Sequence, residues 1–142
     1  MATLKTPIQE PDDLWNPSVV KVVTDQRGYA IYFSRAPIPF PRDKSAPLSD
    51  LRNLIAGRPD LLRHFFRHVG LYAYRRDFLL RFTSWAPSPL ELLEDLEQLR
   101  AIEHGVKIRV DLTHESMFGV DTPEDLERIR KIVLNNPDLL NV

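Results

Sequence analysis

A chain of 142 residues with 43% hydrophobic and 27% charged side chains is long enough to bury one core and too balanced to be disordered. Nineteen Lys and Arg against twenty Asp and Glu leave a formal charge of -1, which excludes a broad cationic surface for nucleic acid or anionic membrane. The absence of cysteine excludes disulfides and thiolate metal sites and is compatible with a reducing cytoplasm.

No apolar run approaches the roughly 20 residues of a membrane span, and residues 1–10 lack the basic and apolar regions of a signal peptide. One soluble, unprocessed domain over residues 1–142 is expected. The opening Ala2-Thr3-Leu4-Lys5-Thr6 reads as extended and starts abruptly, without a polar lead-in or a cap, which hints at truncation.

Residues 19–23 and 29–33 are rich in β-formers and flank Asp25-Gln26-Arg27-Gly28, whose glycine can take the positive φ of a hairpin turn. Residues 34–47 carry Pro37, Pro39, Pro41 and Pro47 and are read as a loop, because each proline lacks an amide donor. Residues 48–63 lean towards helix with an interruption at Gly57-Arg58-Pro59; residues 69–74 read as a buried strand, and a helical segment runs on to Trp85.

Ser88-Pro89-Leu90-Glu91 is a helix start, with Ser as cap, Pro in the first turn and Glu reaching back to the cap amide. Leu92, Leu93, Leu96, Leu99 and Ile102 then recur at helical spacing and predict one packed face as far as Gly105. Residues 106–112 alternate as a strand, and Thr122-Pro123-Glu124-Asp125 caps a last helix to about Leu134. Residues 135–142 are left unassigned. Strands mixed with helices predict an α/β sheet.

Arg35 ends a β-rich run and enters the proline-stiffened loop, where its guanidinium could grip a carboxylate or form an ordinary surface ion pair. His68 and Tyr72 are four apart on the strand, so by period two they share a face; they suit a polyhydroxy ligand, or a satisfied half-buried pair. His64 reads as a surface residue, and His104 and His114 are too scattered for a zinc site. Glu97 lies one turn after Leu93 at the edge of the apolar face, with Gln98 farther round, and helix geometry alone makes both solvated. Asp121 precedes the last cap, where it can hold the turn or serve as a hard oxygen ligand for magnesium.

Several stretches in order resemble one family: Met1-Ala2-Thr3-Leu4, NPSVVKVV from Asn16, GYAIYFSRAPIP from Gly28, RHVGLYAYR from Arg67, WAPSPLE from Trp85, LEQLR from Leu96 and GVDTPEDLERIR from Gly119. Together they resemble the second half of the 3-deoxy-manno-octulosonate (Kdo) cytidylyltransferases. The resemblance implies a nucleotide-diphospho-sugar-transferase-like mixed sheet flanked by helices. It also implies coupling of CTP to Kdo with release of pyrophosphate, for lipopolysaccharide assembly, in a cytoplasmic homodimer that requires Mg2+ and binds neither nucleic acid nor membrane.

By resemblance, Arg35, His68, Tyr72, Glu97 and Gln98 surround the sugar acid and Asp121 binds the metal, with Arg35 and Asp121 as the catalytic pair. The family's basic glycine-containing nucleotide loop and its second acidic metal ligand have no counterpart here, so the chain alone is expected to be inactive. Residues 44–60 look like an inserted loop, and Met117-Phe118 stand where the family carries a glycine-rich approach. Alternatives are a cytidylyltransferase for another nonulosonate such as sialic acid, and a non-catalytic sugar-acid-binding or dimerisation module.

Overall fold

The computed structural model describes residues 1–42, 51–114, 120 and 123–136, with the backbone alone at 124 and 125. Five strands, β1 (Ala2–Pro7), β2 (Lys21–Thr24), β3 (Ala30–Ser34), β4 (Phe66–Ala73) and β5 (Arg109–Leu112), form a mixed sheet in the order β3-β2-β4-β1-β5. β1 is antiparallel to β4 and parallel to β5, and β2 is antiparallel to both β3 and β4. The helices are α1 (Pro11–Trp15), α2 (Leu51–Gly57), α3 (Arg76–Thr83), α4 (Pro89–Glu94), α5 (Gln98–Glu103) and α6 (Pro123–Asn135), with a 3-10 turn at Pro59–His64.

The hairpin forms where the β-rich runs predict it. Asp25 Oδ1 accepts from the amides of Arg27 and Tyr29 at 2.9 and 2.8 Å, which closes the turn. Gly28 has φ +79°, a conformation that favours glycine, and a Cβ there would stand 3.2 Å from the Arg109 guanidinium carbon, which would have to move slightly aside. The same turn ties the two outer strands together: Ala30 donates to the Ile108 carbonyl at 2.9 Å and Val110 to that of Gly28 at 2.8 Å. These bonds occupy backbone groups on the two edge strands that would otherwise be open to pairing with another chain.

The principal core gathers Val22, Phe33, Phe82, Leu96, Leu99, Ala101, Ile108 and Val110. A second cluster joins Ile8, Leu14, Ile55, Leu62 and Phe65. The second one corrects the reading of residues 44–60 as an inserted loop: residues 44–50 lie outside the described part, but α2 follows and buries Ile55 to 2% exposure. Helix α1, which the sequence reading did not assign, buries Leu14 in the same cluster. Strand β4 starts at Phe66 rather than 69, and only Val69 in it is buried, so it is not the buried strand expected.

The largest departure is after Ser88. Instead of one helix to Gly105, α4 ends at Asp95, whose φ of 53° and ψ of 51° are left-handed, and α5 starts anew at Gln98. The break resets the helical phase. Leu96 and Leu99 are buried, whereas Leu92 and Leu93 are 71% and 80% exposed and take no part in the packed face predicted for them.

Ser88 and Glu91 form the capping box that the sequence predicts, and a further residue joins it. Glu91 reaches back, accepting from the Ser88 amide at 3.0 Å, and the Ser88 hydroxyl is in addition bonded to Glu103 of α5. The Glu103 carboxylate further accepts from the Leu90 amide at 3.2 Å, so a side chain from the next helix serves the open end of α4. Helix α6 follows the expected 3.6-residue pattern from Pro123 to Asn135.

Candidate functional site

Strand β4 carries His68 and Tyr72, and a register irregularity brings them together. Thr3 faces Tyr72 while Leu4 faces Val69, so Gly70 and Leu71 are left without partners on β1. The His68 and Tyr72 rings meet at 5.3 Å between centroids, and Phe33 stands edge-on to His68 at 4.9 Å. Thr3, 3% exposed, sets its hydroxyl 2.8 Å from His68 Nε2. Lys5 pairs with His68 across the strands; its ammonium donates to Thr24 Oγ1 at 2.7 Å and lies 4.3 Å from the Phe66 ring centre.

Burial governs the protonation of both aromatic groups. It holds His68 down to about 4, so the ring is neutral near pH 7, and it pushes the Tyr72 hydroxyl upwards, helped by Tyr74 and by the negative charge of Glu97. Tyr74 is raised by burial and by the same carboxylate. Glu97 therefore sits electrostatically beside the two tyrosines, although it belongs to the turn before α5 and is exposed.

Gln98 corrects the sequence reading. As the first residue of a new helix, not the continuation of one, it is buried to 3% exposure instead of solvated. Its amide, the Tyr72 hydroxyl and His68 Nδ1 have no hydrogen-bond partner among the described residues. No fully enclosed side-chain N or O among those residues is unsatisfied, so these three polar tips must reach open space. β4 thus carries a neutral imidazole and a hydroxyl, and the start of α5 a buried amide, each a group able to hydrogen-bond the hydroxyls of a polar ligand.

Arg35 is held differently from either sequence reading. Its side chain donates to the backbone carbonyls of Glu94 at 2.7 Å, Pro17 at 2.8 Å and Asp95 at 3.1 Å, while the Asp95 carboxylate is 4.0 Å away and fully exposed. Three of its five N–H groups go to backbone, which fixes the guanidinium across the α4–α5 turn and leaves two donors.

The residue that anchors this arrangement, Glu94, was missed. Its carboxylate accepts from the Ser34 hydroxyl at 2.7 Å, the Arg35 amide at 2.9 Å and the Tyr32 hydroxyl at 3.4 Å. Burial raises its pKa, but those donors and the Arg35 charge outweigh burial and hold it below its ordinary value. Lys21, fully buried, donates to the Asn16 carbonyl at 3.0 Å; burial lowers its pKa against the opposing pull of Glu94. The signal available in sequence was a lysine inside a run of valines.

Asp121 lies outside the described residues. Among those described, no group of three or more His, Asp or Glu side chains is arranged to hold a metal ion. No helix among them is long and apolar enough to cross a membrane. The groove along α6, bordered by Pro123, Glu127, Arg128, Lys131 and Ile132, includes none of the candidate residues.

Comparison with known proteins agrees with this architecture. The chain is 48% identical over 136 residues to the 3-deoxy-manno-octulosonate cytidylyltransferase of Aeromonas hydrophila, covering 95% of this chain and 50% of that one. It is 54% identical over 129 residues to the protein of that name from Syntrophotalea carbinolica, covering 91% and 49%. A solved CMP:2-keto-3-deoxy-manno-octonic acid synthetase complexed with CTP superposes with a TM-score of 0.75 at 37% identity, covering 94% of this chain and 48% of that one. The chain spans about half the length of the curated relatives it matches. The profile of the family described as Cytidylyltransferase matches residues 1–108, and the chain belongs to that family.

Proposed function

We propose that this chain supplies the sugar-acid side of a nucleotidyltransferase that couples CTP to Kdo, giving CMP-Kdo and pyrophosphate for lipopolysaccharide assembly. The observation that carries the reading is the group of polar tips, His68 Nδ1, the Tyr72 hydroxyl and the Gln98 amide, that have no hydrogen-bond partner among the described residues, in a chain about half identical to proteins of that name. In the reaction, a Kdo hydroxyl attacks the α-phosphorus of CTP and loses its proton to solvent, the bond from the α-phosphorus to the oxygen shared with the β-phosphate breaks, and pyrophosphate leaves with that electron pair. His68, Tyr72 and Gln98 orient the sugar through its hydroxyls, Glu97 accepts from a further hydroxyl, and the two remaining Arg35 donors face the carboxylate.

Magnesium belongs to this reading through Asp121 alone, and a single carboxylate leaves most of an octahedral oxygen shell to be supplied from elsewhere. No step is derived through the ion. A cytoplasmic homodimer that binds neither nucleic acid nor membrane completes the proposal.

A second reading, a non-catalytic sugar-acid-binding or dimerisation module, is favoured by the half-length match. One experiment separates the two: pyrophosphate release from CTP and Kdo is followed for the chain alone and after addition of the other half of a relative's chain. The enzyme reading expects no turnover alone and turnover in the mixture. No turnover in the mixture, with Kdo still bound at about millimolar affinity, favours the module. Turnover with sialic acid in place of Kdo would transfer the proposal to another nonulosonate.

A further inference from the structure

The register irregularity in β4 has a chemical consequence at Thr3. Its hydroxyl oxygen lies 3.0 Å from the Val69 carbonyl oxygen, 2.9 Å from that of Leu71 and 2.8 Å from His68 Nε2. A hydroxyl has one proton and two lone pairs, and a carbonyl can only accept. If Thr3 gave its proton to the histidine, its oxygen would stand against two carbonyl oxygens with no proton between them. Giving the proton to one carbonyl, or sharing it between the two, leaves fewer unscreened oxygen pairs than giving it to the ring, and it leaves a lone pair aimed at Nε2, which must then carry the ring's hydrogen.

We propose that Thr3 is a positioning residue that locks His68 as the Nε2–H tautomer and so turns Nδ1 into an obligatory hydrogen-bond acceptor. The ring is neutral near pH 7 because burial disfavours its charged form, so it has one N–H to allocate, and Thr3 takes it. Nδ1 has no partner among the described residues and is not fully enclosed. The group that meets it must be a donor, such as a sugar hydroxyl. A carboxylate or phosphate oxygen there would face a lone pair and be rejected. His68 therefore reads a hydroxyl of the ligand, and the sugar's acid group has to lie elsewhere.

The tautomer stands on the protein's own geometry, while the nature of the ligand rests on the sugar-acid reading above. The test is long-range 1H–15N spectroscopy of the 15N-labelled full chain near pH 7, with His68→Gln used to assign the ring. The expected spectrum has a protonated Nε2 and an unprotonated Nδ1 for His68. Thr3→Val should let the two tautomers average, and Thr3→Ser should restore the pattern.

A protonated Nδ1 in the unmodified chain overturns the proposal, whether or not Thr3→Val folds; so does a Thr3→Val spectrum unchanged from the parent. Added Kdo should shift the Nδ1 resonance, and the sugar lacking its carboxylate should shift it too. If neither shifts it, the sugar-acid reading fails while the Thr3–His68 assignment stands. A shift that requires the carboxylate would overturn the claim that His68 reads a hydroxyl.

Discussion

Arg100 and Glu91 form a two-pronged ion pair, Nε to Oε2 at 2.7 Å and Nη2 to Oε1 at 2.5 Å, with side chains only 14% and 12% exposed. The guanidinium also donates to the Trp85 carbonyl at 3.0 Å and lies over the Phe82 ring, so one residue of α5 secures the end of α3 and the start of α4 together. The Arg100 hydrogen bonds, followed by the Ser88 amide, hold the Glu91 carboxylate below its ordinary range.

Removing one member of such a pair leaves the other shielded and unpaired. Arg100→Ala is expected to cost about 3 kcal/mol in urea unfolding. Glu91→Gln, which keeps the cap acceptor, should cost roughly 1–2 kcal/mol. Because the folded Glu91 pKa is depressed, the pair's contribution is present at neutral pH and is lost as pH falls below the ordinary carboxylate value. An Arg100→Ala loss under about 0.5 kcal/mol would show that the pair contributes as little as a surface one.

Histidine 68 acts on stability in a higher pH window. Its folded pKa of about 4 is below that of an unfolded histidine, so between about pH 6.5 and about 4 the unfolded chain binds more protons. Stability should decline through that window as pH falls. Denaturant midpoints at pH 7.5 and 5 measure the decline, and His68→Gln should flatten it. An equally steep decline in the variant would assign it to other groups.

Glu94 and Lys21 are expected to matter structurally before they matter chemically. Glu94→Gln leaves the Arg35 amide and the Ser34 hydroxyl with a weaker acceptor and should cost roughly 1–2 kcal/mol. Lys21→Ala adds a cavity and removes one of the two hydrogen bonds to the Asn16 carbonyl, which keeps the Val19 amide, and should cost about 3 kcal/mol, with Lys21→Met milder because the stem volume is kept. Thermal unfolding of the three variants checks the order, and a Lys21→Ala protein as stable as the parent would contradict it.

The helix break makes a contrast among leucines. Leu93→Glu, on a side chain 80% exposed, should change stability by under about 0.5 kcal/mol, whereas Leu99→Ala, at 0% exposure, should cost about 2–5 kcal/mol. Asp95→Gly should be neutral or mildly stabilising, since glycine enters the left-handed region without a Cβ penalty. Near-equal losses at Leu93 and Leu99 would support one continuous helix instead.

Much of the local structure was legible because it depends on near neighbours. The Asp25-Gln26-Arg27-Gly28 turn, the proline-stiffened stretch as far as residue 42, the helix start at Ser88 and the helix from Pro123 are written in turn, helix-start and φ preferences that act within a few residues. The ordered match of NPSVVKVV, RHVGLYAYR and LEQLR to one family likewise needs no coordinates, and His68 and Tyr72 could be assigned to a shared strand face by period alone.

Tertiary structure decided what depends on distant partners. A sequence pattern counts Leu92 and Leu93 as one packed face with Leu96 because it assumes unbroken helical phase; the Asp95 carbonyl held by Arg35 and the left-handed turn remove that phase, expose both leucines and bury Gln98. The proton on His68 is set by a threonine 65 residues away, and the charge of Lys21 is balanced by Glu94 from another element. A local code carries neither fact, because each comes from desolvation and hydrogen bonding that exist only once β1, β4 and the α4–α5 turn have come together.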